Sequence, residues 1–291
     1  MFKFLYITDI HGWTKGYDEI LQIALKEEIS TIVNGGDMLP KGKDLIFSQR
    51  LFVEEYLSSY VVTLQSYGIS YYGMFGNDDC RSVLPSWQEI IKENDNAFDL
   101  TDGWIGLFDG LKIRGCNYVP DPPFRLKDWS VKDTHDYVLP HQPKNPLLST
   151  ETGFAEIDDL NSFLNDRPTL QQILDNMAYE TSSLENAVFV CHSPPANTGL
   201  GNIDTDIDVG SIAVHNWIEK YQPLLSLHGH IHESPEITGC HTTKLGLTTV
   251  HQPGQQIHHG KLVYSLISID NTYVEITRKL LGKLNMWASV G

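Results

Sequence analysis

Leu224-Leu225-Ser226-Leu227-His228-Gly229-His230-Ile231-His232-Glu233 sets a short apolar run directly against a cluster of histidines. Such a run is what a buried strand leaves in a sequence. If the backbone stays extended beyond it, successive side chains point to opposite faces, and His230 and His232, two apart, project to one side. Gly229 leaves room there for a close approach, and histidine is the commonest protein ligand for divalent transition metals. Taken alone, a His-x-His pair is more often two solvated loop histidines. What decides between the two is whether partners exist elsewhere.

They recur upstream, each behind a strand-like segment. Residues 2–8 form an apolar run that ends in Asp9-Ile10-His11-Gly12. Residues 17–28 have helical periodicity, with Ile20, Leu21, Ala24 and Leu25 on one face. The strand expected at 31–33 runs into Asn34-Gly35-Gly36-Asp37. A long helical pattern over 44–67 stops at Gly68, and the strand expected at 69–75 leads to Gly76-Asn77-Asp78-Asp79. Further on, 187–191 reads as a strand followed by His192-Ser193-Pro194-Pro195, and 210–221 as a helix. This alternation predicts a largely parallel sheet with helices on its faces.

Other stretches carry different signals. Segments 104–108 and 111–117 are short strands joined by Asp109-Gly110, a hairpin turn. Prolines 120, 122, 123, 140, 143 and 146 argue for a long ordered loop over 120–150. Residues 151–186 are acidic with helical patches, notably 170–179, so 120–186 reads as a lid-like insertion in one domain spanning 1–291. After Glu233, strands at 244–250, 261–269 and 272–279 suggest an antiparallel second sheet packed on the first.

Composition narrows the function classes. The chain has 291 residues, 41% hydrophobic and 20% charged, as an ordinary globular protein does. Its formal net charge of -16 disfavours attraction to nucleic acid or an anionic membrane surface, and no apolar stretch is long enough to span a bilayer. The apolar start breaks at Thr8-Asp9 without a small-residue cleavage site, and the four cysteines lie far apart with no Cys-x-x-Cys. Free thiols and a cytoplasmic address are therefore expected.

Asp9, His11, Asp37, Asn77, His192, His230 and His232 all follow strand candidates. Open α/β sheets bind their ligands beyond the carboxyl ends of strands, where these residues would gather. Their oxygens and imidazoles are too many for one ion with an open position. They suit two ions about 3.5 to 4 Å apart, joined by a bridging carboxylate. Mixed nitrogen and oxygen ligands without thiolate favour Mn, Fe, Zn, Ni or Co over Ca and Mg, and manganese is the expectation carried forward.

Asp9-x-His11, Gly35-Gly36-Asp37, Gly76-Asn77-Asp78-Asp79, His192 and Gly229-His230-x-His232, in this order, resemble the calcineurin-like metallophosphoesterase superfamily. His192-Ser-Pro-Pro195 and the run 210–234 resemble a prokaryotic branch of it. The resemblance implies an α/β fold, a four-layer αββα sandwich of two mixed β-sheets flanked by helices. It implies that Asp9, His11 and His232 hold one metal, that Asn77, His192 and His230 hold a second, and that Asp37 bridges. The implied activity is hydrolysis of a small phosphodiester, nucleotide-like among the candidates, by a metal-bound hydroxide, with Asn77 assisting on the phosphoryl oxygens. A phosphomonoesterase or nuclease of the same fold, or a non-catalytic metal-binding scaffold, are the alternatives, and a homodimer is compatible with all of them.

One departure from the pattern bears on mechanism. Many members carry a histidine directly after Gly-Asn that protonates the leaving group, and this chain has Asp78. Asp78 is expected either to orient a ligand histidine or to act as the acid itself, with His135 or His141 as other proton sources. Phe124, Trp129 and Tyr137 suit a loop that contacts a base or aromatic leaving group, or one that only packs on the core. His251 could face the site but receives no role.

Overall fold

The computed structural model describes residues 1–282, so residues 283–291 of the expected domain lie outside the described residues. Strand β1 (Phe2–Ile7), helix α1 (Thr14–Lys26) and strand β2 (Thr31–Asn34) make the first β-α-β unit. Helices α2 (Leu45–Leu51) and α3 (Ser58–Ser66), joined by a π-helical segment over Phe52–Leu57, lead to β3 (Ser70–Gly73), and α4 (Leu84–Glu93) leads to β4 (Ala97–Asp99). The chain then crosses into a hairpin of β5 (Ile105–Gly106) and β6 (Lys112–Cys116). Short strands β7 (Val119–Pro120) and β8 (Ser130–Val131) pair with each other, as do β9 (Leu147–Thr150) and β10 (Gly153–Glu156). Helices α5 (Leu160–Asn165) and α6 (Leu170–Tyr179) precede β11 (Ala187–Cys191). After it come β12 (Asn202–Asp204), β13 (Ile207–Asp208), α7 (Ile212–Tyr221), β14 (Leu225–Leu227) and α8 (Ser234–Thr238). Hairpins β15 (Thr242–Leu245)/β16 (Thr248–His251) and β17 (Leu262–Asp270)/β18 (Tyr273–Leu281) complete the described fold.

Two six-stranded mixed sheets result, in the orders β18-β17-β1-β2-β3-β4 and β15-β16-β14-β11-β6-β5. Within the first, β1 to β4 run parallel and β17 and β18 add antiparallel to β1. Within the second, β6, β11, β14 and β16 are parallel between antiparallel edges. The expected division, a parallel sheet followed by an antiparallel one, is therefore corrected. The parallel strands are split between both sheets, and the C-terminal hairpins join one sheet each. The strand expected over 244–250 is itself broken by a turn at Gly246, whose φ is +61°.

Burial explains why two sheets form. Strands buried on both faces read as continuous apolar runs, and β1 alternates its partners accordingly. Phe4 and Tyr6 point between the sheets with Val33, Ile113, Val188, Val190, Leu225 and Ile267. Leu5 and Ile7 turn outward to Tyr17, Ile20 and Ala24 of α1 and to Val61 and Leu64 of α3. On the far side, Phe189 and Cys191 meet Trp217 of α7 and Leu174 of α6. Three apolar cores thus separate four layers, helices, sheet, sheet and helices, as the αββα expectation required. Among the described residues no helix is long and apolar enough to cross a membrane, and the four cysteines are free.

The 120–186 segment is tied to this frame by specific contacts. Trp129 is buried between Phe75 and Tyr118 and donates its indole N–H to the Asp79 carbonyl at 2.7 Å. Asp133 accepts from Ser211 and from the Ile212 N–H at 2.8 Å, capping α7. Lys127 and Asp121 form a buried ion pair at 2.9 Å.

Candidate metal centre

The strands that deliver the predicted residues come from both sheets: β1, β2 and β3 from one, β11 and β14 from the other. Beyond their carboxyl ends the backbone bends sharply. Asp9, His11, Asp37 and His230 all have positive φ, at 57°, 47°, 51° and 69°. Non-glycine residues adopt that region only when the surroundings enforce it, and such strain gathers at functional sites. The premise of an extended backbone through His230 is thus corrected: it sits in a left-handed turn. Its ring centroid still lies 5.3 Å from that of His192, while His232 Nε2 lies 3.3 Å from Asp9 Oδ1.

Close backbone approach makes the turns possible. A Cβ on Gly229 would collide with Thr8 and the Asp9 carboxylate, and one on Gly76 would collide with Asp37. The room expected at Gly229 is therefore filled by the opposite sheet. Asp79 stitches the turns together by accepting from Met38, Leu39 and Gly76 N–H groups at 2.8 to 2.9 Å. Below the site His228 donates its Nδ1–H towards the carbonyls of Cys191 and Ser193, both at 2.9 Å, and Ser226 donates to its Nε2 at 2.8 Å.

Ligand-capable atoms of Asp9, His11, Asp37 and His232 all lie within 4.8 Å of one another. A second group adjoins them. His192 Nε2 is 3.1 Å from Asn77 Oδ1, 3.5 Å from Asp37 Oδ2 and 3.9 Å from Asp9 Oδ1. Asp37 Oδ2 is also 3.8 Å from His11 Nε2, so one carboxylate oxygen stands between both groups. All seven predicted residues are brought together. The carboxylates are held in turn: Thr8 donates to Asp9 Oδ2 at 2.9 Å, the His230 N–H to both Asp9 oxygens at 3.1 Å, and the Asp78 N–H to Asp37 Oδ1 at 2.9 Å.

The donor set fits divalent metal ions. His192 donates Nδ1–H to the Gly35 carbonyl at 2.9 Å, which turns Nε2, the nitrogen free to ligate, onto three oxygens. His11 and His232 set their Nε2 atoms 3.2 Å apart, and His11 Nδ1 is buried without a partner among the described residues. The ring nitrogens of His230 have no hydrogen-bond partner among the described residues. Lone pairs converging on carboxylates in this way call for a cation. The titration behaviour agrees. Burial alone would raise the acids, yet His232 and His192 bring Asp9 down to about 2, and His192 and His11 bring Asp37 lower still. Burial would lower His192, but Asp37 and Asp9 hold it up to about 10, a proton filling the place of positive charge. Burial brings His11 down to about 4 and His230 to about 3, leaving both neutral as ligation needs.

Among the described residues Asp78 makes no hydrogen bond or ion pair with a histidine ring, and its carboxylate meets Asn77 and Lys41 instead of the expected ligand histidine. Its Oδ1 accepts from Asn77 Nδ2 at 3.1 Å, so it fixes the Asn77 amide with Oδ1 toward His192, and its Oδ2 lies 2.6 Å from Lys41 Nζ. His135 is 99% exposed, beside Asp136. His251 is buried between the sheets rather than facing the site, with Nε2 accepting from Ser265 at 2.7 Å. Trp129, buried in the core, has no face left for a substrate, and Tyr137 donates its hydroxyl to the Asp121 carbonyl at 2.9 Å. Two residues at the site were missed from sequence. Lys41 lies in a polar turn without periodicity, and His258, whose ring is 6.0 Å from that of His232, comes from a short turn after β16. Two surface clefts, bordered by Met1, Phe108 and Asn186 and by Lys3, Glu27 and Thr277, lie away from this cluster.

The family model for calcineurin-like phosphoesterases matches residues 2–234. No curated protein sequence matches the chain. Among solved structures, TT1561 of Thermus thermophilus is similar with a TM-score of 0.57 at 14% identity, covering 94% of this chain and 97% of that one. A dimetal phosphatase from Danio rerio is similar with a TM-score of 0.51 at 13% identity, covering 97% and 96%. At such identities the likeness is one of fold. With the family match spanning most of the sequence and a cluster able to hold metal lying at its strand ends, this chain belongs to the calcineurin-like phosphoesterase family and is a metallophosphoesterase.

Proposed function

We propose that the chain hydrolyses a small, nucleotide-like phosphodiester with two divalent transition-metal ions, manganese foremost. The observation that carries this is the position of Asp37 Oδ2, 3.8 Å from His11 Nε2 and 3.5 Å from His192 Nε2, as a carboxylate shared by two ions requires. Asp9, His11 and His232 would hold one ion, and Asn77, His192 and His230 the other. When bound, the ions supply activation of water and neutralisation of the phosphoryl oxygens. The protein's part is positioning. Thr8 and the His230 N–H hold the Asp9 carboxylate, and the Asp78 N–H holds Asp37.

Asp78 has its carboxylate occupied by Lys41 and Asn77. With that group engaged, esters whose leaving groups need little protonation are favoured, which supports an aryl or nucleotide-like diester over an alkyl monophosphate. The test is hydrolysis of a chromogenic aryl phosphodiester beside its monoester, by Mn2+-loaded protein and an Asp37→Asn control. Diester turnover that disappears in the control is expected. Failure to hydrolyse either ester with two metals bound would overturn the proposal.

A further inference from the structure

Lys41 stands at the edge of the metal cluster with donors to spare. Its Nζ lies 2.6 Å from Asp78 Oδ2, and its side chain is 47% exposed. An ammonium carries three donors. Asp78 takes one, and no other described residue accepts from Lys41. The other oxygen of the same carboxylate accepts from Asn77 Nδ2 at 3.1 Å, so Asp78 fixes the ammonium beside Asn77. The Asp78 backbone N–H in turn donates to Asp37 Oδ1 at 2.9 Å, so the residue that holds Lys41 also adjoins the carboxylate between the two donor groups. Burial opposes its charge, but Asp78, Asp37 and Asp9 outweigh it and raise its pKa, so the ammonium persists at neutral pH. In a chain of net charge -16, a solvent-reaching cation at the rim of the site draws an anion to that point.

We propose that Lys41 is a substrate-binding residue, its ammonium donating to a non-bridging phosphoryl oxygen on the Asn77 side of the site. The idea rests on the phosphoesterase proposal above and adds a contact made by the protein itself. A lysine that only neutralised Asp78 would matter for stability and metal retention but not for phosphate affinity.

The test compares Mn2+-loaded wild type, Lys41→Met and Lys41→Arg. Inhibition of aryl diester hydrolysis by inorganic phosphate, KM, kcat and bound metal are measured together, and phosphate binding is followed by calorimetry. In Lys41→Met, phosphate binding weakens and KM rises by about 10- to 100-fold, the loss of one charge-assisted hydrogen bond, with metal content unchanged. Lys41→Arg keeps most of the affinity. Phosphate affinity and KM within about twofold of wild type in Lys41→Met would overturn the inference. Loss of metal from that variant would overturn it too, by making the role structural. If wild type hydrolyses neither ester, the phosphoesterase proposal fails, and calorimetry still decides whether Lys41 grips phosphate.

Discussion

Residue by residue, the candidate ligands were legible because each follows a buried strand and has the side chain that metal chemistry needs. The conformation that gathers them was not. Asp9, His11, Asp37 and His230 reach the centre through left-handed turns, which side-chain pattern does not encode. Lys41 and His258 escaped for a related reason: they belong to turns whose position is set by packing between distant segments. His251 shows the converse case, a histidine near the motifs whose role is structural. It accepts from Ser265 of β17, and Nδ1 lies 2.7 Å from the His241 carbonyl, so it links one sheet to the other. Burial brings its pKa down to about 3, whereas in the unfolded chain it titrates at about 6.5. The folded state stays neutral while the unfolded state gains a proton. The stability from this group is therefore complete above about pH 6.5 and is lost as pH falls toward about 3, at about 1.4 kcal/mol per unit. Denaturant midpoints measured from pH 7 to pH 5 are expected to fall more steeply for wild type than for His251→Gln. Parallel curves would rule out a neutral buried His251.

Among the elements, long periodic segments and doubly buried strands were readable, and their order gave the α/β class. Which sheet a strand joins was not readable. β17 and β18 alternate like any antiparallel hairpin, and only the pairing of Phe2 to Tyr6 with 265–269 assigns them to the first sheet. The proline-rich segment is largely irregular, as its composition predicts, but the destination of its aromatics depends on cavities in the core. Trp129 fills one against Phe75 and bonds to the Asp79 carbonyl, just behind the Asn77 turn. Trp129→Phe is expected to lower stability by about 1 to 3 kcal/mol, from one lost hydrogen bond and reduced packing. KM for both esters should stay within about twofold of wild type. A large rise in KM with unchanged stability, in paired melting and kinetic measurements, would instead put Trp129 on the substrate.

For the whole molecule, the two sheets act as opposed halves of one clamp. The first supplies Asp9, His11, Asp37 and Asn77, the second His192, His230 and His232, and Gly229, packed against Thr8 and Asp9, lets the halves meet. The site therefore depends on packing between the sheets as much as on its own residues, and Asp37 stands where the two donor sets join. Anomalous diffraction from crystals grown with Mn2+ tests this most directly. Two peaks about 3.5 to 4 Å apart are expected, one amid Asp9, His11 and His232, the other amid Asn77, His192 and His230, with Asp37 ligating both. A single peak, or two that do not share Asp37, would contradict it.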